Sequence, residues 1–132
     1  MMKYEKQLAR IMEETLFDIY GTPVAYIDHS SSEQPIYLWN GIPVCYLVNN
    51  LVYGFNGSHL GWFIDGVIYD LDGFQVGFIR DTLRVFPQYE PFKSFKQFKP
   101  FRSFREYAHY RPFLLSSFST EPLSLFLSRG RS

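Results

Sequence analysis

One spacing constrains the fold of this 132-residue chain more than any other feature. Aligned on Gly21, Gly41, Gly57 and Gly73, which fall 20, 16 and 16 residues apart, the flanking residues repeat in kind. Four before each glycine stands an aromatic (Phe17, Tyr37, Tyr53, Tyr69), and two before it a large apolar residue (Ile19, Trp39, Phe55, Leu71). Three after come Val24, Val44, Leu60 and Val76, and four after come the small residues Ala25, Cys45, Gly61 and Gly77. Five after come Tyr26, Tyr46, Trp62 and Phe78, and six after come Ile27, Leu47, Phe63 and Ile79. Self-similarity in phase marks a repeat architecture.

Each unit reads as a β-hairpin. Asn56-Gly57 between aromatic and apolar residues is a strong hairpin signal, and predicts a type I′ turn with positive φ at both central positions. The second strand of each unit is apolar on both faces, so both faces are expected to be covered. The small residue four after the glycine predicts a crowded site where four hairpins converge. A two-stranded hairpin is marginal alone, so the four must pack together. Asp65-Gly66 is a second hairpin signal, which predicts that consecutive units join into a closed antiparallel meander.

The pattern resembles the bacterial domains called 4-fold beta flower, on Tyr37-Leu-Trp-Asn-Gly-Ile-Pro-Val-Cys-Tyr-Leu47, Tyr53 to Phe63, and Tyr69-Asp-Leu-Asp-Gly-Phe-Gln-Val-Gly-Phe-Ile79. It covers about residues 17–81 and implies an architecture without an associated chemistry. The first unit departs most, with Tyr20-Gly21 at its turn and an inserted His29-Ser-Ser-Ser-Glu-Gln34.

A second repeat follows. From Phe86 to Phe113 an aromatic stands at every third position, usually followed by a basic residue (Lys93, Lys96, Lys99, Arg102, Arg105, Arg111) and then by a polar residue or proline. A period of three forms no stripe on an α-helix and alternates faces on a strand. It suits polyproline II, whose three residues per turn would set aromatic, basic and polar edges along a rod. Residues 1–81 carry 4 Lys/Arg and 10 Asp/Glu, and residues 82–132 carry 9 and 3, so the halves are −6 and +6 and the total is zero. This asymmetry predicts either docking between the halves or an acidic partner.

The organisation expected is therefore all-β. An amphipathic helix within 1–16 (Tyr4, Leu8, Ile11, Met12 and Leu16 on one face) precedes a four-hairpin domain at 17–84. A period-three extension at 85–113 and a tail at 114–132 follow. In the tail, alternating Leu123, Leu125 and Leu127 suggest one more strand, and the last residues are expected to fray.

Candidate chemistry is sparse. His29, His59, His109 and Cys45 lack metal-ligand spacing, and no metal or cofactor is expected. Cys45 occupies the small-residue position and reads as a packed thiol. His59 takes the slot of Pro23, Pro43 and Gln75, which reads as a tolerant surface position. Asp70 and Asp72 could pair as carboxylates, but Asp72-Gly73 is explained by its turn. No apolar leader and no run of 18 apolar residues is evident, so a cytoplasmic protein without a transmembrane helix is expected.

The functional expectation rests on Phe92, Lys93, Phe95, Lys96, Phe98, Lys99, Phe101, Arg102, Phe104 and Arg105. An exposed stripe of ten aromatics is an aggregation hazard, so most are expected to be covered by the protein's own hairpins, another copy or a partner. The reading is a non-catalytic interaction or assembly protein. The alternative is single-stranded nucleic-acid binding by basic residues interleaved with stacking aromatics. A membrane surface is a lesser option.

Overall fold

The computed structural model describes residues 12–132. The glycine-centred units become four hairpins: β1 (Glu13–Phe17) with β2 (Pro23–Asp28), β3 (Pro35–Leu38) with β4 (Pro43–Val48), β5 (Leu51–Gly54) with β6 (His59–Ile64), and β7 (Val67–Asp70) with β8 (Gln75–Phe78). All neighbours are antiparallel in chain order, and β1 meets β8 through Phe17 and Phe78 to close an eight-stranded barrel. Connections of such a meander alternate between its ends, so the four glycine turns share one end.

The turns differ from the expected type I′. Gly57 has φ +91°, but Asn56 is absent from the positive-φ residues. The Gly57 N–H donates to the Gly54 carbonyl, the Gly54 N–H donates to the Ser58 carbonyl, and the pairing shifts register there. This is a type I turn closed by a glycine bulge, in which only the glycine needs the left-handed region. Side chains hold these turns. Asp18 Oδ1 accepts from the N–H groups of Tyr20 and Thr22, and Asp70 Oδ1 accepts from those of Asp72 and Phe74. Asp70 is thus a turn residue rather than half of a carboxylate pair. Two consecutive positive φ values occur instead at Asp65-Gly66, at the opposite end.

Residues 13–16 of the expected N-terminal helix lie in β1, where Glu13 pairs with Asp28 and Leu16 with Ala25. The strand wins because β1 supplies backbone partners to β2 and β8 and buries Leu16 completely. The rest of that expected helix, 1–11, lies outside the described residues.

The barrel interior holds Leu16, Ala25, Ile27, Ile36, Cys45, Leu47, Val52, Ile68 and Val76. It is completed by the tail. Leu123, Leu125 and Leu127 form no strand; they belong to α1 (Leu123–Ser128), which buries Leu123, Phe126 and Leu127 and leaves Leu125 58% exposed. That i, i+3, i+4 face is the helical period, with Phe126 supplying the contact that an alternating pattern overlooks. The small-residue positions receive this plug. A Cβ on Gly77 would lie 2.9 Å from Leu123, one on Gly61 would lie 3.1 Å from Phe126, and the Cys45 thiol donates to the Leu127 carbonyl at 3.3 Å. Beyond the helix Gly130 is buried, and its carbonyl accepts from the Asn56 N–H at 3.1 Å, whereas Arg131 and Ser132 are exposed. Leu127→Ala is expected to cost about 2–5 kcal/mol in chemical denaturation. Leu125→Ala should change stability by no more than about 0.5 kcal/mol; equal losses would contradict the plug.

Candidate functional site: an aromatic belt around the barrel

Outside the barrel the second strands present Tyr26, Tyr46, Trp62 and Phe78, all buried. Cross-strand pairs extend this layer: Tyr26 stacks on Tyr37 with ring centroids 5.5 Å apart, and Tyr46 on Tyr53 at 6.3 Å. A barrel apolar on both faces needs an outer cover, and residues 85–115 supply it.

The segment is a belt tied at nine-residue intervals. The N–H groups of Gln88, Gln97, Glu106 and Leu115 donate to the carbonyls of Gly21, Gly41, Gly57 and Gly73 at 2.8–2.9 Å. Ser94 and Ser103, again nine apart, donate to Trp39 and Phe55. The corresponding residue of the fourth hairpin is Pro112, which has no N–H to give. Arg84 reaches across to the Ser116 carbonyl at 3.2 Å and also to Gln75, joining the start of the belt to its end. The belt therefore rings the barrel at its glycine-turn end.

Each tie uses the bare face of a glycine. A Cβ on Gly21 would lie 2.6 Å from the Phe86 carbonyl oxygen, and Cβ atoms on Gly41, Gly57 and Gly73 would strike those of Phe95, Phe104 and Phe113.

The three edges of the belt have separate destinations. The basic edge turns inward. Lys93 sits over Tyr26 and Trp39, Lys96 over Tyr26 and Tyr37, Arg102 over Tyr46 and Arg105 over Tyr53, with the cationic groups 4.9–5.8 Å from the ring centroids. The same cations meet carboxylates: Lys93 with Glu13 at 3.0 Å, Lys96 with Glu13 at 2.9 Å and Asp28 at 2.8 Å, Lys99 with Glu33 at 2.7 Å, and Arg102 with Glu33 at 3.1 Å. Where the barrel offers a cation the belt changes sign, and Glu90 pairs with Arg80 at 2.6 Å.

These pairs leave their mark on ionisation. Burial opposes the charges of Asp28, Glu13 and Lys96, but their mutual hydrogen bonds outweigh it. Both carboxyls are therefore held below their usual range, and the ammonium is held above its own. Lys99 likewise holds Glu33 low. Burial under the belt pushes the Tyr26 hydroxyl up to about 12.

The aromatic edge points away. Phe86, Tyr89, Phe92, Phe95, Phe98, Phe101, Phe104, Tyr107, Tyr110 and Phe113 are 82–103% exposed. The expectation of cover from the protein's own hairpins therefore fails, because the barrel's outer layer is already filled by the cationic edge. The ten residues singled out from sequence divide into an outward set, Phe92, Phe95, Phe98, Phe101 and Phe104, and an inward set, Lys93, Lys96, Lys99, Arg102 and Arg105. Sequence reasoning missed the inward set's partners, Glu13, Asp28 and Glu33, although the opposite charges of the two halves hinted at them.

The remaining candidates are structural. Cys45 is fully buried, which pushes its thiol up and away from reactivity. An open cleft of about 710 Å³ lies between β1 and the start of the belt, and four of its charged groups are paired with one another as Glu13–Lys93 and Glu90–Arg80. Among the described residues no group of three or more His, Cys, Asp or Glu side chains could hold a metal ion. No helix among them is long and apolar enough to cross a membrane.

His59 is a correction: the slot read as a tolerant surface position is 2% exposed. Its Nδ1 accepts from the His109 N–H at 2.9 Å, and its Nε2 lies 2.9 Å from the Gly61 carbonyl, which makes Nε2 the protonated nitrogen. Nine-residue spacing places Pro91 and Pro100 at the belt positions equivalent to His109, and Pro23 and Pro43 are the hairpin equivalents of His59. The first two hairpins thus carry no such hydrogen bond, and the third uses an imidazole.

A closed antiparallel barrel of four hairpins, plugged by its own C-terminal helix and girdled by its own extension, is a pseudo-four-fold β architecture with an exposed aromatic rim. The sequence model of the 4-fold beta flower protein family matches residues 14–127, and the chain belongs to that family. The match takes in belt and plug as well as the hairpins, so the extension is part of the family's unit rather than an appendage. No curated protein and no solved structure matches the chain.

Two outcomes follow for the belt's attachment. Gly57→Ala should cost at least about 1–3 kcal/mol in chemical denaturation, from the left-handed backbone alone. Burial first, and then His109, hold His59 below its usual range. The unfolded chain therefore binds the extra proton first, and stability falls as pH drops below about 6.5. The depressed carboxylates keep their stabilisation until pH approaches about 4, so they do not compete in this window. A melting-temperature profile from pH 7.5 to 5 should decline for the native chain and decline less for His59→Gln, which keeps an acceptor without a titrating group. Parallel profiles would sink this assignment.

Proposed function

We propose that the protein is a non-catalytic interaction or assembly module that docks on a protein partner, or on another copy of itself, through the aromatic rim of its belt. The observation that carries this reading is the orientation of the belt. Ten rings stand in solvent while Lys93, Lys96, Lys99, Arg102 and Arg105 between them face the barrel. A fully exposed Phe or Tyr offers about 150–250 Å² to a partner, so the rim offers on the order of 1,500–2,500 Å². The largest apolar patch on a monomer is normally about 300–600 Å². An area of this size, held on a rigid frame, fits an interface of at least standard size, which takes about 800 Å² from each partner.

The belt's period of three and its freedom from strand or helix hydrogen bonding fit polyproline II, which holds an extended ligand-like edge at little further entropic cost on binding. A cytoplasmic location fits the free thiol at Cys45. Single-stranded nucleic acid is the weaker reading. It uses a positive groove together with stacking rings, whereas Lys93, Lys96, Lys99 and Arg102 face carboxylates here.

The test is a photo-crosslinking phenylalanine analogue in place of Phe98, irradiated in living cells of the source organism. Covalent adducts with one or a few defined polypeptides, absent when the analogue replaces the plug-face Leu123, are the expected result. Adducts with nucleic acid alone would favour the alternative. Absence of any defined adduct would overturn the interaction reading.

A further inference from the structure

We infer that the partner of the rim is a second copy of this chain, engaged by interdigitation of one belt's rings between those of the other. The inference rests on the interaction reading above and commits it to one occupant.

Three observations carry it. The first is pitch. At the polyproline II rise, rings three residues apart stand about 9 Å apart along the belt. Aromatic rings stack with centroids about 4.5–7 Å apart. A ring inserted midway between two neighbours would thus lie about 4.5 Å from each. A comb with this pitch is complementary to an identical comb displaced by half a period, and an aromatic at every third position is supplied by the chain itself. The second is charge. Glu13, Asp28 and Glu33 answer Lys93, Lys96 and Lys99, three charges against three, so the rim from Phe92 to Phe101 is an apolar edge over neutralised pairs. Such an edge repels an identical edge little and offers scant attraction to an anionic surface. The third is repetition. Nine residues separate successive ties, so each hairpin presents three rings, such as Phe95, Phe98 and Phe101. Two convex belts meet over one such face at a time. Three rings offer about 450–750 Å² per copy, close to the 800 Å² of a standard interface.

A two-fold contact on one face leaves the other faces open. Pairing therefore does not stop at a dimer, and association is expected to grow with concentration. Because the rings touch little of their own barrel, they can be removed without disturbing it.

Sedimentation velocity with light scattering on the purified full chain tests this. The expected mass is at least twice the 15.6 kDa of one chain in the micromolar range and rises on concentration. Phe95→Ala/Phe98→Ala/Phe101→Ala should weaken association at least tenfold with an unchanged melting temperature. The Phe98 crosslinker in the purified protein should give homodimer adducts. A native chain that stays monomeric to several hundred micromolar overturns the inference, as does a triple variant that associates undiminished. Monomeric purified protein combined with adducts to a different polypeptide in cells would remove self-association and leave the interaction reading standing.

Discussion

Lysine and arginine cations set over tyrosine and tryptophan rings hold the belt on the barrel. Tyr26, Tyr37, Tyr46 and Tyr53 line the barrel's exterior, and bare they would face water with their broad faces. Lys93, Lys96, Arg102 and Arg105 set their charged heads over these rings, and the first three also meet nearby carboxylates. Exposed ion pairs alone would add little. Packing, cation–π attraction and charge act here on the same atoms, and an amphipathic side chain is the residue type that can satisfy all three.

Once the cations are turned inward, the remaining geometry follows. A three-residue period has three edges. One is taken by the barrel surface, and a second supplies the N–H groups that reach the glycine turns. The aromatic edge is the one left over, and it faces solvent because both other directions are filled. Two repeats of unlike length are thereby locked together, about sixteen residues per hairpin inside and nine per hairpin outside. The glycines serve both, giving the hairpin its left-handed bulge residue and giving the belt carbonyl a surface without a Cβ.

Much of the barrel was legible because its determinants are local. A glycine turn, a two-residue alternation and a small residue at a fixed offset can each be seen within one unit, and four units in phase reinforce one another, although the bulge that closes each turn was not foreseen. The belt's path was harder to read. Its three-residue period is conspicuous, whereas the nine-residue tie depends on backbone N–H groups, which every residue except proline carries. Only Pro91, Pro100 and Pro112, where ties are missing or altered, carry a trace of it. The plug was misread because Leu123 and Leu127, four apart, satisfy both periods, and Phe126 becomes decisive only when the lumen to be filled is known. His59 looked superficial because its equivalents are two prolines and a glutamine, Pro23, Pro43 and Gln75. It is buried because the belt crosses it, and nothing near residue 59 in sequence announces that crossing.

The plug has a consequence for how the chain must come into being. Cys45 and the Leu127 carbonyl it reaches are 82 residues apart, and Gly130 packs against Gly54 near the mouth of the barrel. The barrel's strands pair between neighbours in chain order, whereas its lumen is filled by α1, which comes only after the whole belt. Contacts of such long range slow folding, since loop closure precedes any gain from them.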